Sequence, residues 1–589
     1  MSLITRYLPF AASTSTLQAL TYLLGISLFS ISFLVFLNSS VSFVITDLIG
    51  QKDGVGDVVG TLGFADEVVA LVACPIWGLI SDRLGVRWVA VLGYLIISAA
   101  LALFVQAKNV YPQLLLARIF FAIGATAAAT MVTAILPNLT DDSNTQAVNL
   151  CQRGRKPITT DGRASRDSVA LSLSSELTIT PERYTRAVSA SSTSSEEQEE
   201  EDKRLGKPSA LAGYVGLFTG CGALVALSLF LPLPARFGEI DGVSTADAVT
   251  YSFYVVALVS LAVAVFVSIG LKGLKGEDGK GWKALFGMKR VSEDGFADGR
   301  VRRPVLPYLH LLREALKLGL TDSNIALGYL GGFVARASTV AISLFIPLFV
   351  NTYFINNGFC QGSPHDPSPE LKKECRAAYI LASILSGVAQ LFGLLCAPIF
   401  GYLSSRTRRT NIPVKIASLL GMVAYTAFPL LRSPEIKDVD GRGGGPLVFL
   451  LVALMGISQI GAIVCSLGSL GRGVLTTDVV LPPRSEDCVP SLIQEESTET
   501  SALLAPGDEE TTPCVQEDEE TQTRVRLKGS IAGVYSWFGG AAILLLTKAG
   551  GYLFDEVANG APFYMMAGFN GVWFVASLGI DMAREFRRR

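Results

Sequence analysis

PIWGLISDRLGVR fills residues 75–87, and PIFGYLSSRTRR fills residues 398–409. In both stretches a long apolar run ends abruptly at a cluster of serine and arginine. A proline, a glycine, a serine and an arginine recur in strict register, 323 residues apart. The alignment extends without a gap over 63–83 and 386–406. The chain is therefore predicted to consist of two similar halves.

The composition indicates a membrane protein. Of the 589 residues, 50% are hydrophobic, and the mean hydropathy of +0.44 is too high for an ordinary soluble protein. The net charge of −2 points to no class of partner, and we expect no nucleic-acid partner. No Cys/His metal spacing accompanies the two histidines, and no nucleophile–base–acid set is visible. We therefore expect no enzyme activity, no cofactor and no metal site.

Twelve apolar stretches are predicted to be spanning helices, because about 20 apolar residues cross a bilayer as a helix that satisfies its own backbone hydrogen bonds. We interpret the first as a retained helix and not as a cleaved signal peptide. The predicted spans are 22–46, 57–80, 87–107, 111–136, 210–232, 247–270, 325–350, 377–401, 412–432, 446–470, 529–552 and 562–580. The predicted fold class is an all-α membrane protein with two pseudo-symmetric six-helix bundles.

Basic residues near the ends of the spans predict the orientation. Arg83, Arg406 and the C-terminal REFRRR fall on one side if there are twelve spans, so this side is predicted to be cytosolic, with both termini inside. The predicted divisions are an N-terminal bundle (1–136 and 210–270), an insert (137–209), a basic central loop (271–324), a C-terminal bundle (325–470 and 529–589) and an acidic insert (471–528).

The two cytosolic inserts have too little apolar periodicity to bury a core, and we predict that both are disordered. They are solvated linkers or sites of regulation by phosphorylation, and both interpretations stay open. In the central loop, residues 306–320 have the apolar spacing of a helix lying along the membrane surface. In the acidic insert, ETSALL with Glu499, Leu503 and Leu504 resembles the dileucine signal read by clathrin adaptors. Unless the match is a coincidence, it favours a vacuolar or lysosomal membrane over the plasma membrane.

The layout of two parallel six-helix halves joined by a basic loop resembles the major facilitator superfamily. That family carries Gly-x-Leu-Ser/Ala-Asp-Arg-x-Gly-Arg-Arg/Lys between helices 2 and 3. This chain matches the motif at Gly78, Ser81, Asp82, Arg83, Gly85 and Arg87, and departs from it at Ile80 and Val86. A weaker copy after helix 8 keeps Gly401, Ser404 and Arg406 but has Ser405 in place of the aspartate. The resemblance, with inserts similar to those of fungal members, implies transport of a small solute by alternating access.

Asp82 is predicted to be a latch at the cytosolic mouth. Its carboxylate can pair with a basic group or a helix N-terminus of the other half, and so hold that side closed in one state. Gly78 and Gly85 permit a close helix approach and a tight turn. A carboxylate that is merely solvated in the loop is the alternative.

Two adjacent carboxylates, Asp66 and Glu67, lie inside predicted helix 2, about 16 Å from its cytosolic end at about 1.5 Å per residue. Charges at such a depth are costly and tend to face a cavity or a partner. The two side chains point about 100° apart, so they cannot face the same place. Gln390 occupies the position of Glu67 in the second half, which favours Glu67 as the cavity-facing proton carrier.

Arg118 in predicted helix 4 is the candidate counter-charge for Glu67 or Asp66, because protonation of the carboxylate would break such a pair. Arg118 followed by Gly124 resembles the drug–proton antiporters, although the Gly-Pro pair of their helix 5 is absent. Arg336 in helix 7 can attract an anionic substrate group or pair across the cavity. Asn38 is a further candidate for a polar contact, as is Gln390. Snorkelling of Arg118 and ordinary interhelical hydrogen bonds remain alternatives.

Cys360 and Cys375 share one short loop on the predicted non-cytosolic side. They form either a disulfide or two free thiols, and the sequence does not decide between these alternatives. We expect a monomeric secondary transporter in a lipid bilayer, with a small solute and possible proton coupling. A proton-independent facilitator and a non-transporting sensor on the same fold are the alternatives. The sequence names no substrate.

Overall fold

The computed structural model describes residues 8–51, 55–141, 206–240, 242–274, 277, 280–285, 308–357, 376–407, 411–436, 443–475 and 527–587. Within these ranges every regular element is helical, and twelve helices are long and apolar enough to cross a membrane. The prediction of twelve spanning helices is thereby confirmed.

The twelve spanning helices are named α1 to α12 in chain order. The first six are α1 (Thr16–Ile49), α2 (Val58–Leu84), α3 (Val86–Phe104), α4 (Val110–Thr140), α5 (Gly206–Gly238) and α6 (Ala246–Gly270). The second six are α7 (Ser323–Asn356), α8 (Ile380–Arg406), α9 (Ile412–Leu430), α10 (Leu447–Leu475), α11 (Lys528–Glu556) and α12 (Ala561–Phe586).

Helix α1 begins six residues earlier than its apolar run predicts. Ser15 caps it, since the Ser15 hydroxyl accepts the Gln18 backbone N–H at 3.2 Å and the Gln18 side chain accepts the Ser15 N–H at 3.0 Å. This is a capping box, which satisfies two of the free donors at a helix start. The polar first turn is therefore helical although it lacks the hydropathy of a span.

Helix α4 continues to Thr140 and so enters the region predicted as the first insert. Its last turn is buried, and the Leu139 carbonyl accepts the backbone N–H of Ala11 at 2.8 Å and the Thr14 hydroxyl at 3.2 Å. Contacts with the segment before α1 therefore hold this turn together. Helix α5 likewise begins at Gly206, inside the predicted insert.

The helices form two groups that meet along α2 and α11. In the first group α2 and α3 pack on α4, and α3 packs on α6. In the second, α7, α8 and α9 surround α10, and α9 packs on α12. Between the groups, α2 lies along α11, and α5 lies against α8 through Gly213 and Gly401. In the repeat, α2 corresponds to α8 and α11 corresponds to α5, so the α2–α11 contact is equivalent to the α8–α5 contact.

The helix predicted in the central loop spans Tyr308–Thr321. It packs against α7, α11 and α2 with a buried face of Leu311, Ala315 and Leu318, and the Tyr329 hydroxyl of α7 donates to the Ala315 carbonyl at 3.2 Å. One apolar side is therefore covered by the protein, whereas Leu316 and Leu320 on the neighbouring side are 40% and 89% exposed. That the helix lies along the membrane surface stays a prediction.

Candidate functional site

The first motif glycine brings α2 and α11 into backbone contact. A Cβ atom on Gly78 would lie 2.4 Å from the carbonyl oxygen of Gly529 and 2.9 Å from Cα of Gly533. Contacts this short exclude any side chain, so glycine at 78 sets the distance between the two halves at this point. The end of the bundle that contains this contact is the cytosolic end in the predicted orientation.

The repeat glycine makes the corresponding contact between α8 and α5. A Cβ on Gly401 would lie 2.7 Å from Cα of Gly213, and one on Gly213 would lie 3.0 Å from the Ala397 carbonyl oxygen. The two copies of the motif therefore close this end of the bundle on both sides. This is the physical reason for the glycine at the same register of each half.

Asp82 lies at the N-terminus of α11, in the other half of the molecule. Its carboxylate accepts the backbone N–H of Gly529 at 2.8 Å and that of Ser530 at 2.7 Å, and it also accepts the Ser530 hydroxyl. The first N–H groups of a helix have no partner within the helix, and the helix dipole favours a negative charge there. Asp82 thus makes the interhalf contact that the sequence predicts for a latch.

Glu277, in the central loop, makes a second carboxylate contact at the same end. It accepts the backbone N–H of Val86 at 2.7 Å and the Nζ of Lys528 at 2.6 Å, and Lys280 Nζ lies 3.2 Å away. Lys528 is completely buried at the first residue of α11. Glu277 therefore connects the start of α3 in one half to the start of α11 in the other.

The charges around Glu277 determine its protonation. Burial raises the pKa of Glu277, but the positive charges of Lys528 and Lys280 and the hydrogen bonds from Lys528 and Val86 outweigh burial. The pKa of Glu277 is therefore held below its ordinary value, and the carboxylate is ionised at neutral pH.

Gly85 is required by both its backbone and its surroundings. Its φ of +99° lies in the left-handed region, and a Cβ at this position would lie 2.5 Å from Oε2 of Glu277. Any other residue would be strained and would displace the carboxylate. The glycine predicted to allow a tight turn therefore also makes room for the Glu277 contact.

The remaining motif residues lie around this interface. Ser81 is buried and donates to the Gly78 carbonyl at 2.8 Å, and Ser404 is its buried counterpart. The Arg83 carbonyl accepts the Gly281 N–H at 3.0 Å. The guanidinium groups of Arg87 and Arg406 lie over the rings of Trp88 and Tyr402, with centroid distances of 5.0 and 5.3 Å. Ser405 donates to the Tyr402 carbonyl of its own helix at 2.8 Å.

Farther from the cytosolic end, Arg118 of α4 pairs with Asp66 of α2. Arg118 Nε lies 2.9 Å from each oxygen of the Asp66 carboxylate, and Nη2 contacts Asp66 and the side-chain oxygen of Asn38. Arg118 is 3% exposed, which excludes the snorkelling alternative. The partner of Arg118 is therefore Asp66, and the pairing with Glu67 in the coupling hypothesis is corrected. The reason is helix geometry, because Asp66 lies on the α4-facing side of α2, as does Trp77, whose indole donates to the Ile123 carbonyl of α4 at 2.9 Å.

Glu67 points about 100° away from Asp66, on the side of α2 that contacts α11. It makes no ion pair or hydrogen bond with any described residue, while the charge of Arg336 acts on it. Arg336 is exposed and makes no hydrogen bond or ion pair within the described ranges either. Gln390 is exposed on α8 at the position that repeats Glu67. Glu67 and Arg336 are thus two intramembrane charges that contact no opposite charge directly.

Three residues of these contacts are not predicted from the sequence: Glu277, Lys528 and a second capping carboxylate, Asp581. Asp581 of α12 accepts the backbone N–H of Asn411 at 3.1 Å and pairs with Lys415 at 2.6 Å, all within the second half. Each of these three residues contacts another segment more than 160 residues away in sequence, and no local pattern reveals such a contact. A lysine at the first turn of a helix, where the dipole disfavours it, was the one available signal for Lys528.

Several predicted features lie outside the described residues. They are the Cys360 and Cys375 pair and the dileucine-like Glu499, Leu503 and Leu504. Among the residues that are described, no group of three or more His, Cys, Asp or Glu side chains is arranged to hold a metal ion.

The family model described as Major Facilitator Superfamily matches residues 24–150. Among solved structures the chain is similar to a bacterial homologue of the iron transporter ferroportin in an outward-facing state, with 12% identity and a TM-score of 0.51 over 96% of this chain and 99% of that one. It is also similar to the E. coli fucose:proton symporter (12% identity, TM-score 0.49, 95% and 98% covered) and the human organic anion transporter MFSD10 (14% identity, TM-score 0.45, 95% and 98% covered). No curated protein matches the sequence significantly. The family match and the whole-chain likeness confirm the predicted fold class, an all-α membrane protein with the major facilitator fold.

Proposed function

We propose that this chain is a major facilitator transporter that carries a small solute across a membrane by alternating access. The observation that carries the proposal is the cytosolic closure, in which two glycine contacts and the Asp82 and Glu277 carboxylates join the halves. These contacts are polar or depend on shape, and they lie at one end of the interface. A closure confined to one end of the interface can open when the two halves rock against each other.

Transport is tested with the purified protein in two steps. A screen for thermal stabilisation by small solutes identifies ligands, because a ligand of the folded state raises the melting temperature. Uptake and exchange of these solutes are then measured in proteoliposomes. Absence of flux for every stabilising ligand would contradict the proposal.

A non-transporting sensor on the same fold is the second candidate. It is favoured by the length of the two segments between helices, 141–205 between α4 and α5 and 476–527 between α10 and α11. Deletion of both inserts separates the candidates, because a transporter keeps its flux and a sensor loses its output. An enzyme is not proposed.

We further propose that coupling to protons uses Asp66 with Arg118 as its counter-charge. The pair is inside the membrane and nearly buried, with exposed side-chain fractions of 14% and 3%. Protonation of Asp66 would remove one charge of the pair and release the guanidinium, a change that can accompany rearrangement of α2 against α4. The Arg118 and Gly124 pattern of the drug–proton antiporters supports this assignment; the choice between symport and antiport is left to experiment.

The coupling proposal is tested with Asp66→Asn, whose side chain keeps an oxygen for Arg118 but cannot titrate. We expect loss of the dependence of flux on a pH gradient, with solute exchange at equal pH retained. Glu67→Gln serves as the comparison and is expected to keep the pH dependence of any flux that remains. Wild-type flux that is indifferent to the gradient would show a proton-independent facilitator.

We also propose a vacuolar or lysosomal location and recognition by a clathrin adaptor, on the basis of the dileucine-like motif. Replacement of Leu503 and Leu504 by alanine is expected to move a fluorescent fusion to the plasma membrane. An unchanged distribution would show that the motif match is a coincidence.

A further inference from the structure

We propose that the solute is a zwitterion, bound between the halves with its cationic group at Glu67 and its anionic group at Arg336. This inference rests on the proposed transport function and specifies its substrate class. Small amino acids and longer amino-carboxylates have the required chemistry.

Glu67 lies on the face of α2 that follows α11. Ala70 and Leu71, one turn further along α2, lie 3.9 and 3.5 Å from the position of a Cβ on Gly540, and the Cys74 carbonyl oxygen lies 2.8 Å from that of a Cβ on Gly533. Residues 67, 70, 71 and 74 share one side of a helix with 3.6 residues per turn. Glu67 therefore points along the surface of α11, toward the space between the two halves.

Arg336 approaches the same part of α11 from α7. Its Cγ lies 2.8 Å from the position of a Cβ on Gly539, the residue adjacent to the glycine that faces α2. The stem of Arg336 therefore lies against Gly539, and its side chain is exposed next to the part of α11 that α2 contacts.

The charge balance at this level selects the class of ligand. Asp66 and Arg118 neutralise each other within the first half, whereas Glu67 and Arg336 both lie beside α11 and neither forms an ion pair with a described residue. An anion or a cation alone would satisfy one of these groups and leave the other desolvated without a partner, which is costly. A zwitterion satisfies both and keeps the occupied site neutral during the passage of the solute.

The test compares each zwitterion with its two singly charged derivatives on the purified full-length protein, by thermal stabilisation and titration. Leucine, leucinamide and N-acetylleucine form a short set; 6-aminohexanoate, its amide and its N-acetyl derivative form a long set. For at least one set we expect the zwitterion to bind about tenfold or more tightly than both derivatives, since each loses one ionic contact.

Two isosteric variants assign the contacts. The N-acetyl derivative lacks the cationic group, so Glu67→Gln is expected to remove the preference for the zwitterion over this derivative. The amide lacks the anionic group, so Arg336→Gln is expected to remove the preference for the zwitterion over the amide. Lys548→Gln is the matched control, because Lys548 is a charged residue of α11 that lies over the Phe64 ring of α2, with Nζ 4.5 Å from the centroid, and is not part of the site. Both preferences are expected to survive in that variant.

If neither zwitterion binds more tightly than both of its derivatives, the proposal is wrong, whatever the variants show. This readout requires only the wild-type protein, so misfolding of a variant cannot obscure it. Flux of a solute with a single charge or none would overturn the zwitterion and leave transport intact. Absence of flux for all binding solutes would overturn the proposed transport function itself.

Discussion

Removal of the Asp82 charge is expected to open the cytosolic end. In Asp82→Asn the side chain keeps one carbonyl oxygen as an acceptor, while its NH₂ group cannot accept the second backbone N–H of α11. The variant therefore loses at least one charge-assisted hydrogen bond and the attraction between the carboxylate and the helix dipole. Nothing comparable is lost when the halves are apart, because the N–H groups and residue 82 are then hydrated.

The size of the effect follows from the contacts of Asp82. A hydrogen bond to a charged group contributes about 1.5–3 kcal/mol, and a helix dipole adds about 0.3–1 kcal/mol. Closure of the cytosolic end is therefore expected to weaken by about 2–4 kcal/mol. This corresponds to a decrease of about 30-fold to 700-fold in the ratio of closed to open molecules.

The populations can be measured by electron–electron double resonance between spin labels. Lys272→Cys after α6 and Phe586→Cys at the end of α12 are exposed label positions on different halves at this end, in a background without the nine native cysteines. The wild-type latch is expected to give one short distance, and Asp82→Asn is expected to add a longer one.

Asp581→Asn is the matched control. Asp581 also accepts a backbone N–H near a helix start, that of Asn411, but both residues lie in the second half. This variant is expected to melt at a lower temperature without a change in the distance distribution. A distribution in Asp82→Asn that is identical to wild type would refute the role of Asp82 as a latch.

Three further predictions concern the interface and the buried charges. Gly78→Ala is expected to weaken closure and lower the melting temperature, because the added Cβ meets the α11 backbone. Gly63→Ala on the same helix is the control, and it should be neutral or stabilising because a Cβ there has nothing within 4 Å. Equal effects of the two variants on the melting temperature would contradict the close contact. The pKa of Glu277 is lowered in the folded protein, so the stabilisation by its carboxylate is complete above the ordinary pKa of 4.5 and is lost as the pH falls below that value. The melting temperatures of wild type and Glu277→Gln should therefore converge in acid. A difference in melting temperature that does not depend on pH would contradict the role of the Glu277 charge. Asp66→Ala should lower the free energy of unfolding by about 3–5 kcal/mol in chemical unfolding, mainly because it leaves the buried charge of Arg118 without a partner. Adding Arg118→Leu removes that charge and should restore much of the lost stability. Additive losses in the double variant would argue against the pair.

The architecture could be predicted because its signals are local or periodic. Apolar runs predict the twelve helices, and the repeated glycine, serine and arginine predict where the halves correspond. The motif also indicates that Asp82 faces a helix start, since it stands where α2 leaves the membrane. The early start of α1 was readable from Ser15 and Gln18, but hydropathy alone does not detect a capping box.

The partners of individual charges could not be predicted. Glu277 and Lys528 are 251 residues apart, with an insert between them, and only the packing of α2 on α11 brings them together. The choice between Asp66 and Glu67 depends on a rotation of 100° about α2, which the sequence does not fix. Comparison with Gln390 favoured Glu67 as the cavity-facing residue and could not show that Arg118 pairs with Asp66.

A disulfide across the closed cytosolic end tests alternating access most directly. Asp82 and Ser530 contact each other across the halves, so Asp82→Cys with Ser530→Cys in the cysteine-free background places two thiols at the latch. The oxidised protein in proteoliposomes is expected to bind a solute found by the stabilisation screen but not to transport it. Reduction should restore flux to the level of the Asp82→Cys single variant. Undiminished flux through the fully cross-linked protein would contradict transport by opening of this end.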